Sequence, residues 1–153
     1  MLCGSTTECP FCDVSPDKGF DIVNENPEYV VFKNHSPASA FHLLVIPRKH
    51  VGSVKDLDAS HIPLVQDMLA LGADSLTLLG ATSDHRRFGF HIPPFTSVQH
   101  LHLHCFGPPF NSTLADLRYT VRSRRDGRKG ISWFAEVNQA IATLNRGERV
   151  RIF

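Results

Sequence analysis

Apolar residues along the chain switch between two periods. Short runs that are apolar throughout, or that alternate with polar residues, predict strands at residues 19–24, 28–33, 40–47, 87–92 and 98–106. Asn26-Pro27 separates the first two runs, Pro47 ends the third, and Gly107-Pro108-Pro109 stops the last. Between the third and fourth, Val65, Met68, Leu69, Gly72, Leu76 and Leu79 recur at three- and four-residue steps, the stripe of one helix over 58–79. Pro63 fits its first turn and Gly80 its end. A second stripe, Trp133, Phe134, Val137, Ala140, Ile141 and Leu144, predicts a second helix closed by Gly147. Few helices and clustered strands predict an α+β fold with an antiparallel sheet, in one domain over 1–153. Residues 111–153 extend that domain with a basic loop and the second helix.

Residues 100–106 read His-Leu-His-Leu-His-Cys-Phe. Successive side chains of a strand point to opposite faces, so His100, His102 and His104 share one face while Leu101, Leu103 and Cys105 share the other. A half-buried strand ordinarily carries Thr, Ser or Lys on its polar face. Three imidazoles there point to a shared ion or a shared phosphate, because histidine ligates metals and moves a proton near neutral pH. Near the other end, Cys9-x-x-Cys12 has the spacing of a zinc half-site, a spacing that redox pairs also use.

Composition narrows the classes. At 42% hydrophobic and 20% charged the chain has the make-up of a soluble globular protein. Its net charge of +1 supplies no global field for nucleic acid or membrane. The distribution is uneven: residues 111–153 carry nine basic and four acidic side chains, the first 110 seven and eleven, which gives a modest basic C-terminal surface. No apolar run reaches transmembrane length, and the opening MLCGSTTECP lacks the basic and apolar regions of a secretory signal. Four cysteines do not make a disulfide framework at this size, so cytosol or nucleus is expected.

The motif HLHLHCF resembles the His-φ-His-φ-His-φ-φ signature of the histidine triad superfamily, where φ is hydrophobic. FHLLVIPRKH resembles that family's strand-to-turn segment. GFHIPPFTSVQHLHLH resembles the approach to the triad in the nucleotide-binding (Hint) branch, third type. The likeness covers roughly residues 9–109. It implies a five-stranded antiparallel sheet with two main helices, a sheet extended across a homodimer, and cleavage of substituted nucleoside 5′-phosphates.

The resemblance also implies residue roles. His102 would attack the α-phosphorus through one nitrogen while the other, protonated, finds an acceptor. His104 would donate to a non-bridging oxygen, and His100 would buttress the site. His42 corresponds to the family's fourth histidine, and Ser97 to the serine that contacts the phosphate and the departing atom. Asn34 stands where an acidic ribose contact is usual, and a neutral amide there alters how a hydroxyl is held. His91 aligns with an asparagine near the phosphate, and Phe11, Ile22 and Phe32 are candidate walls for the base. Relatives with the same CxxC bind zinc with two further histidines, here His50 and His100, which would make Cys9, Cys12, His50 and His100 a closed structural Zn2+ site.

The implied activity is hydrolysis of adenosine or guanosine 5′-phosphoramidates through a nucleotidyl-histidine. Three alternatives are a dinucleoside polyphosphate hydrolase, a deadenylase of nucleic acid ends, and a nucleotide-binding interaction protein without significant turnover. Arg124-Arg125-Asp126-Gly127-Arg128-Lys129 is a basic loop without the zinc finger that nucleic-acid-directed relatives add, so nucleic acid is not the expected partner.

Overall fold

The computed structural model describes residues 9–94 and 98–152. Six strands form one antiparallel sheet: β1 (Ile22–Glu25), β2 (Tyr29–Lys33), β3 (Ser39–Pro47), β4 (Arg87–His91), β5 (Leu103–Phe110) and β6 (Phe134–Glu136). Their spatial order is β1-β2-β3-β5-β4-β6. The helices are α1 (Ile62–Leu78), α2 (Thr113–Arg118) and α3 (Val137–Asn145).

The sheet has one strand more than the five expected. The additional strand is β6, and it explains the shifted second helix. Phe134 and Ala135 are buried and pair with His91 and Phe90 of β4, so the first part of the predicted stripe is extended. Helix α3 starts only at Val137, capped by the Glu136 side chain, which accepts from Gln139 N–H. Trp133 precedes both elements. Periodicity misled here because an apolar pair just before a helix satisfies the helical spacing by accident. Helix α2 carries no buried residue, so it left no stripe in the sequence.

The last predicted strand also moves. β5 begins at Leu103 and runs through Gly107-Pro108-Pro109 to Phe110. Ser39 pairs with Phe110 and Phe41 with Gly107, so two prolines oppose the single Ala40 in a bulge. The prolines are tolerated because β4 pairs with β5 only at Leu103's side of Gly107, from His104 to Phe106. His100 and His102 therefore lie in the segment leading into the strand rather than in its ladder.

Both faces of the central strands are covered. Leu43, Val45, Leu103 and Cys105 face the main core with Val65, Met68 and Leu76 of α1. Leu44 and Ile46 face the other way, beneath Phe11, Phe20 and Phe32. Helix α1 is entered through Asp58, whose carboxylate accepts from Ser60 N–H. It is left through paired bonds from Gly80 N–H to Thr77 and Ala81 N–H to Leu76. Gly72 lets α1 lie close on the sheet, since a Cβ there would stand 2.5 Å from Cys105 Sγ. That contact is directly behind the histidine-bearing strand. No described helix is long and apolar enough to cross a membrane. With β4 flanked on both sides, the sheet ends at β1 and β6.

Candidate active site

The histidines gather on the face of the sheet opposite α1. The rings of His102 and His104 stand 5.1 Å apart between centroids, as expected for alternate residues of an extended chain. His42 pairs in register with Phe106, one step from Leu44 opposite His104. That diagonal places His42 Nε2 2.9 Å from His104 Nδ1. His91 stacks on Tyr119 at 4.6 Å and lies 5.1 Å from the His104 ring. Gly89, two residues before His91 on β4, admits the Phe134 ring, which a Cβ would meet at 2.4 Å.

A backbone donor fixes the direction of the hydrogen bonds. Ala38 N–H donates to His42 Nδ1 at 3.0 Å, so the neutral ring carries its proton on Nε2. That proton goes to His104 Nδ1. His104 must then hold its own proton on Nε2, and this atom is buried with no hydrogen-bond partner among the described residues. The chain of bonds ends in an N–H donor with no acceptor among the described residues. His102 is oriented separately: its Nδ1–H donates to the carbonyl of His100 at 2.7 Å, which leaves the lone pair on Nε2.

All of these rings are neutral near pH 7. Burial, reinforced by His91 and His102, pushes His42 down to about 3. Burial likewise lowers His91 to about 4, against the bond to the Arg118 carbonyl. His104 is held well below the ordinary histidine range by burial and by the surrounding imidazoles. Burial also lowers His102. A neutral imidazole is what a nucleophile at His102 requires.

The candidate base walls occupy the same face. Phe11 meets the His102 ring edge-on at 5.4 Å and Phe32 at 5.3 Å. Phe32 is itself buried, and Ile22 packs in the same cluster. Phe20, 4.9 Å from Phe32, also belongs to this wall; the sequence pattern placed it in the strand expected over 19–24, whereas β1 begins only at Ile22. Asn34 lies beside His42, its Nδ2 3.3 Å from Nε2 and its Oδ1 accepting from Ser36 N–H. Tyr119 was also missed; it packs on His42, His91 and His104 from just beyond α2, where no sequence signal marks it. Ser97 lies outside the described residues.

A second cluster adjoins the first. One ligand atom from each of Cys9, Cys12, His50 and His100 lies within 4.8 Å of the others, close enough to bind a metal ion. The Nδ1 atoms of His50 and His100 are 3.2 Å apart. The four sulfur-to-nitrogen distances run from 3.3 to 3.7 Å. His100 Nε2–H donates to the Pro47 carbonyl at 2.7 Å, which turns the Nδ1 lone pair toward the thiols.

Known proteins resemble this chain in sequence and fold. Residues 8–120 match the family described as scavenger mRNA decapping enzyme C-term binding. The adenosine 5′-monophosphoramidase HINT3 of Mus musculus is 42% identical over 92% of this chain and 83% of its own length. A protein of the same name from Xenopus tropicalis is 35% identical over 89% of this chain and 86% of its own length. Among solved structures, a HIT family hydrolase from Clostridium thermocellum superposes with a TM-score of 0.62 at 23% identity, covering 71% of this chain and 96% of its own.

Proposed function

The chain belongs to the histidine triad superfamily, and we propose that it hydrolyses nucleoside 5′-phosphoramidates, with purine nucleotides such as AMP or GMP derivatives as substrates. The observation that carries this reading is the pair of oriented rings: a lone pair on His102 Nε2 beside an unpaired N–H on His104 Nε2.

In the first step the departing nitrogen takes a proton from solvent, His102 Nε2 forms a bond to the α-phosphorus, and the phosphorus–nitrogen bond breaks with its electron pair going to the amine, which leaves neutral. His102 Nδ1–H stays on the His100 carbonyl, which shares the positive charge that the ring acquires. His104 Nε2–H donates to a non-bridging oxygen, where charge grows in the transition state. His42 keeps His104 in the donating tautomer rather than supplying a proton itself, because its own Nε2–H is already engaged. In the second step water attacks phosphorus, and His102 Nε2 recovers its lone pair. Over both steps one water is consumed: its oxygen ends on phosphorus and one proton is gained by the amine. Ser97 is assigned contact with the departing nitrogen, Asn34 the ribose, and Phe11 with Phe20, Ile22 and Phe32 the nucleoside side of the site.

The second cluster is assigned a structural zinc ion. A tetrahedral ion with usual bond lengths needs nitrogen atoms about 3.3 Å apart and sulfur–nitrogen separations of about 3.6 Å. The observed separations of 3.2 Å and 3.3–3.7 Å fit. Four protein ligands leave no open position, so the ion supplies a cross-link between the Cys9–Cys12 turn and the triad segment. A cytosolic or nuclear setting, where thiols stay reduced, would suit Cys9 and Cys12 as ligands. A homodimer built by sheet extension would have to join at β1 or β6.

Rapid mixing with an adenosine phosphoramidate, acid-free quenching and peptide mapping test the reaction. An adenylyl group on His102 is the expected adduct. Turnover without any histidine adduct would refute the covalent route.

A further inference from the structure

A cleft of about 800 Å³ opens beyond His91. Leu117 and Arg118 of α2 form one rim, and Ile131 and Trp133 the other. Arg122 lines the cleft too, at the root of the hairpin between the rims, where Gly130 N–H donates to its carbonyl at 2.8 Å. Among the described residues six large apolar side chains are exposed, and five of them fall between residues 114 and 133. Leu114, Leu117 and Ile131 are 80%, 60% and 69% exposed, and Trp133 is 41% exposed. Leu114 stands about one helical turn before Leu117 on α2, a helix that buries no residue of its own. Apolar side chains gathered in this way mark an interaction surface.

Both rims are held in place. The Lys129 ammonium is buried and donates to the carbonyls of Gly130, Ser132 and Ile152, which fixes the segment carrying Ile131 and Trp133. Ile92 N–H donates to the Trp133 carbonyl at 2.8 Å and ties that segment to the sheet. On the other rim, Arg87 holds α2 through its ion pair with Asp116 and its bond to the Tyr119 carbonyl.

The charge around these side chains has one sign. Arg118 and Arg122 are exposed, and neither makes an ion pair among the described residues. The same holds for Arg124 and Arg125 in the hairpin. The two carboxylates of this stretch are engaged, Asp116 by Arg87 and Asp126 by Arg128. Ser132 N–H donates to the Ile152 carbonyl, so the tail bearing Arg149 and Arg151 runs beside the 131–133 segment. Both hydroxyls of the lining donate within the chain, Thr120 to the Leu117 carbonyl and Ser132 to that of Phe134.

The surface therefore offers carbon and guanidinium. A nucleic acid would meet the arginines but leave three aliphatic side chains against phosphate and sugar. A protein face would bring acceptors and donors for which the lining has no free hydroxyl proton. An anionic bilayer matches both features: headgroup phosphates and carboxylates for the arginines, acyl carbon for the aliphatic side chains, and the boundary between them for an indole.

We propose that the face formed by α2 and residues 131–133 docks on bilayers rich in anionic lipid. Leu114, Leu117 and Ile131 enter the acyl boundary, Trp133 lies at headgroup level, and Arg118 and Arg122 hold headgroups. The net charge of +1 does not oppose this, because within a Debye length the local arginines set the field. The proposal stands apart from the phosphoramidase reading and survives its failure.

Trp133 is the chain's single tryptophan, so its emission reports on this face. The native protein, without nucleotide, is mixed with large vesicles of phosphatidylcholine alone or with about one-third phosphatidylserine. Sedimentation with the phosphatidylserine vesicles at low salt, together with emission shifted to shorter wavelength, is expected, with little of either on phosphatidylcholine alone. Arg118→Ala with Arg122→Ala should weaken partitioning roughly 25-fold, about fivefold for each charge. Leu117→Ser with Ile131→Ser should weaken it about tenfold or more. Leu78→Ser, equally exposed but on α1 and outside the cleft lining, should leave it unchanged. No sedimentation of the native protein with phosphatidylserine vesicles would overturn the proposal, whatever the variants do. So would binding that neither pair of substitutions weakens. An equal emission shift with oligothymidylate or polyglutamate in the absence of lipid would also overturn it, and would reassign the face to a nucleic acid or an acidic peptide.

Discussion

His102 Nδ1 lies 2.7 Å from the main-chain carbonyl of His100. Through this bond one residue serves two sites. The His100 side chain faces the Cys9, Cys12 and His50 ligand atoms, while its backbone sets the tautomer of the neighbouring ring. Phe11, inside the Cys9–Cys12 turn, also packs on the His102 ring. Anything that holds the turn in place therefore steadies the His102 ring from two directions.

His102→Ala is expected to lower turnover by roughly 10³-fold or more, the scale seen when a covalent nucleophile is deleted. Nucleotide binding, measured by calorimetry, should persist, because the apolar wall and His104 remain. Hydrolysis by the variant at the native rate would exclude His102 as nucleophile.

Protein purified without chelator is expected to hold close to one zinc ion per chain by elemental analysis. Cys9→Ser with Cys12→Ser should hold none and melt at a lower temperature. The His102 Nδ1 proton resonance should shift in the same variant, since its acceptor is the backbone of a ligand residue. A native protein free of metal, with an unchanged resonance in the variant, would dissolve the link.

Acid should destabilise the fold through the buried imidazoles. Their folded pKa values lie below the unfolded value near 6.5, at about 4 for His91 and about 3 for His42. The unfolded chain thus binds protons that the native chain refuses as pH falls from about 6.5. Stability drops by about 1.4 kcal/mol per pH unit for each such histidine, and these groups contribute no pH dependence above about 7. Urea unfolding between pH 7 and 5 should show the slope, and His91→Gln should reduce it by one proton. Parallel curves for the two proteins would refute a neutral His91.

Gly72→Ala tests the seating of α1 behind the triad. Alanine improves helix propensity by up to about 1 kcal/mol. A methyl placed 2.5 Å from the buried Cys105 sulfur costs about 1–3 kcal/mol by overpacking. The second effect should win, with partial rescue by Cys105→Ala in the same chain. Unchanged stability of the single variant in chemical denaturation would show that the helix has slack there.

The alternation of His100, His102 and His104, the CxxC spacing and the stripe of α1 are local patterns, so they were legible in the sequence and put the right side chains on the right faces. So was the resemblance that pairs His42 with the triad. The beginning of α3 was not legible, because Trp133 and Phe134 satisfy a helical period while the edge of β4 takes Phe134–Glu136 into the sheet. Nor was the extent of β5, where two prolines that normally stop a strand are accommodated by a bulge against β3 while β4 no longer pairs on the other side. Ordinary periodicity has no information about which strand edge is open.

The sequence by itself determined the family, the α+β class and which imidazoles gather on one face, because those depend on residue type and near-neighbour spacing. Only the tertiary structure decided the tautomers, since the hydrogen-bond partners that set them come from far along the chain or from the backbone: the donor Ala38 N–H for His42, and the accepting carbonyl of Pro47 for His100. It alone decided that Cys9 and His100, 91 residues apart, share one ligand cluster. It alone made the cleft beyond His91, because a cavity is the space left between distant segments, and no stretch of chain encodes that space.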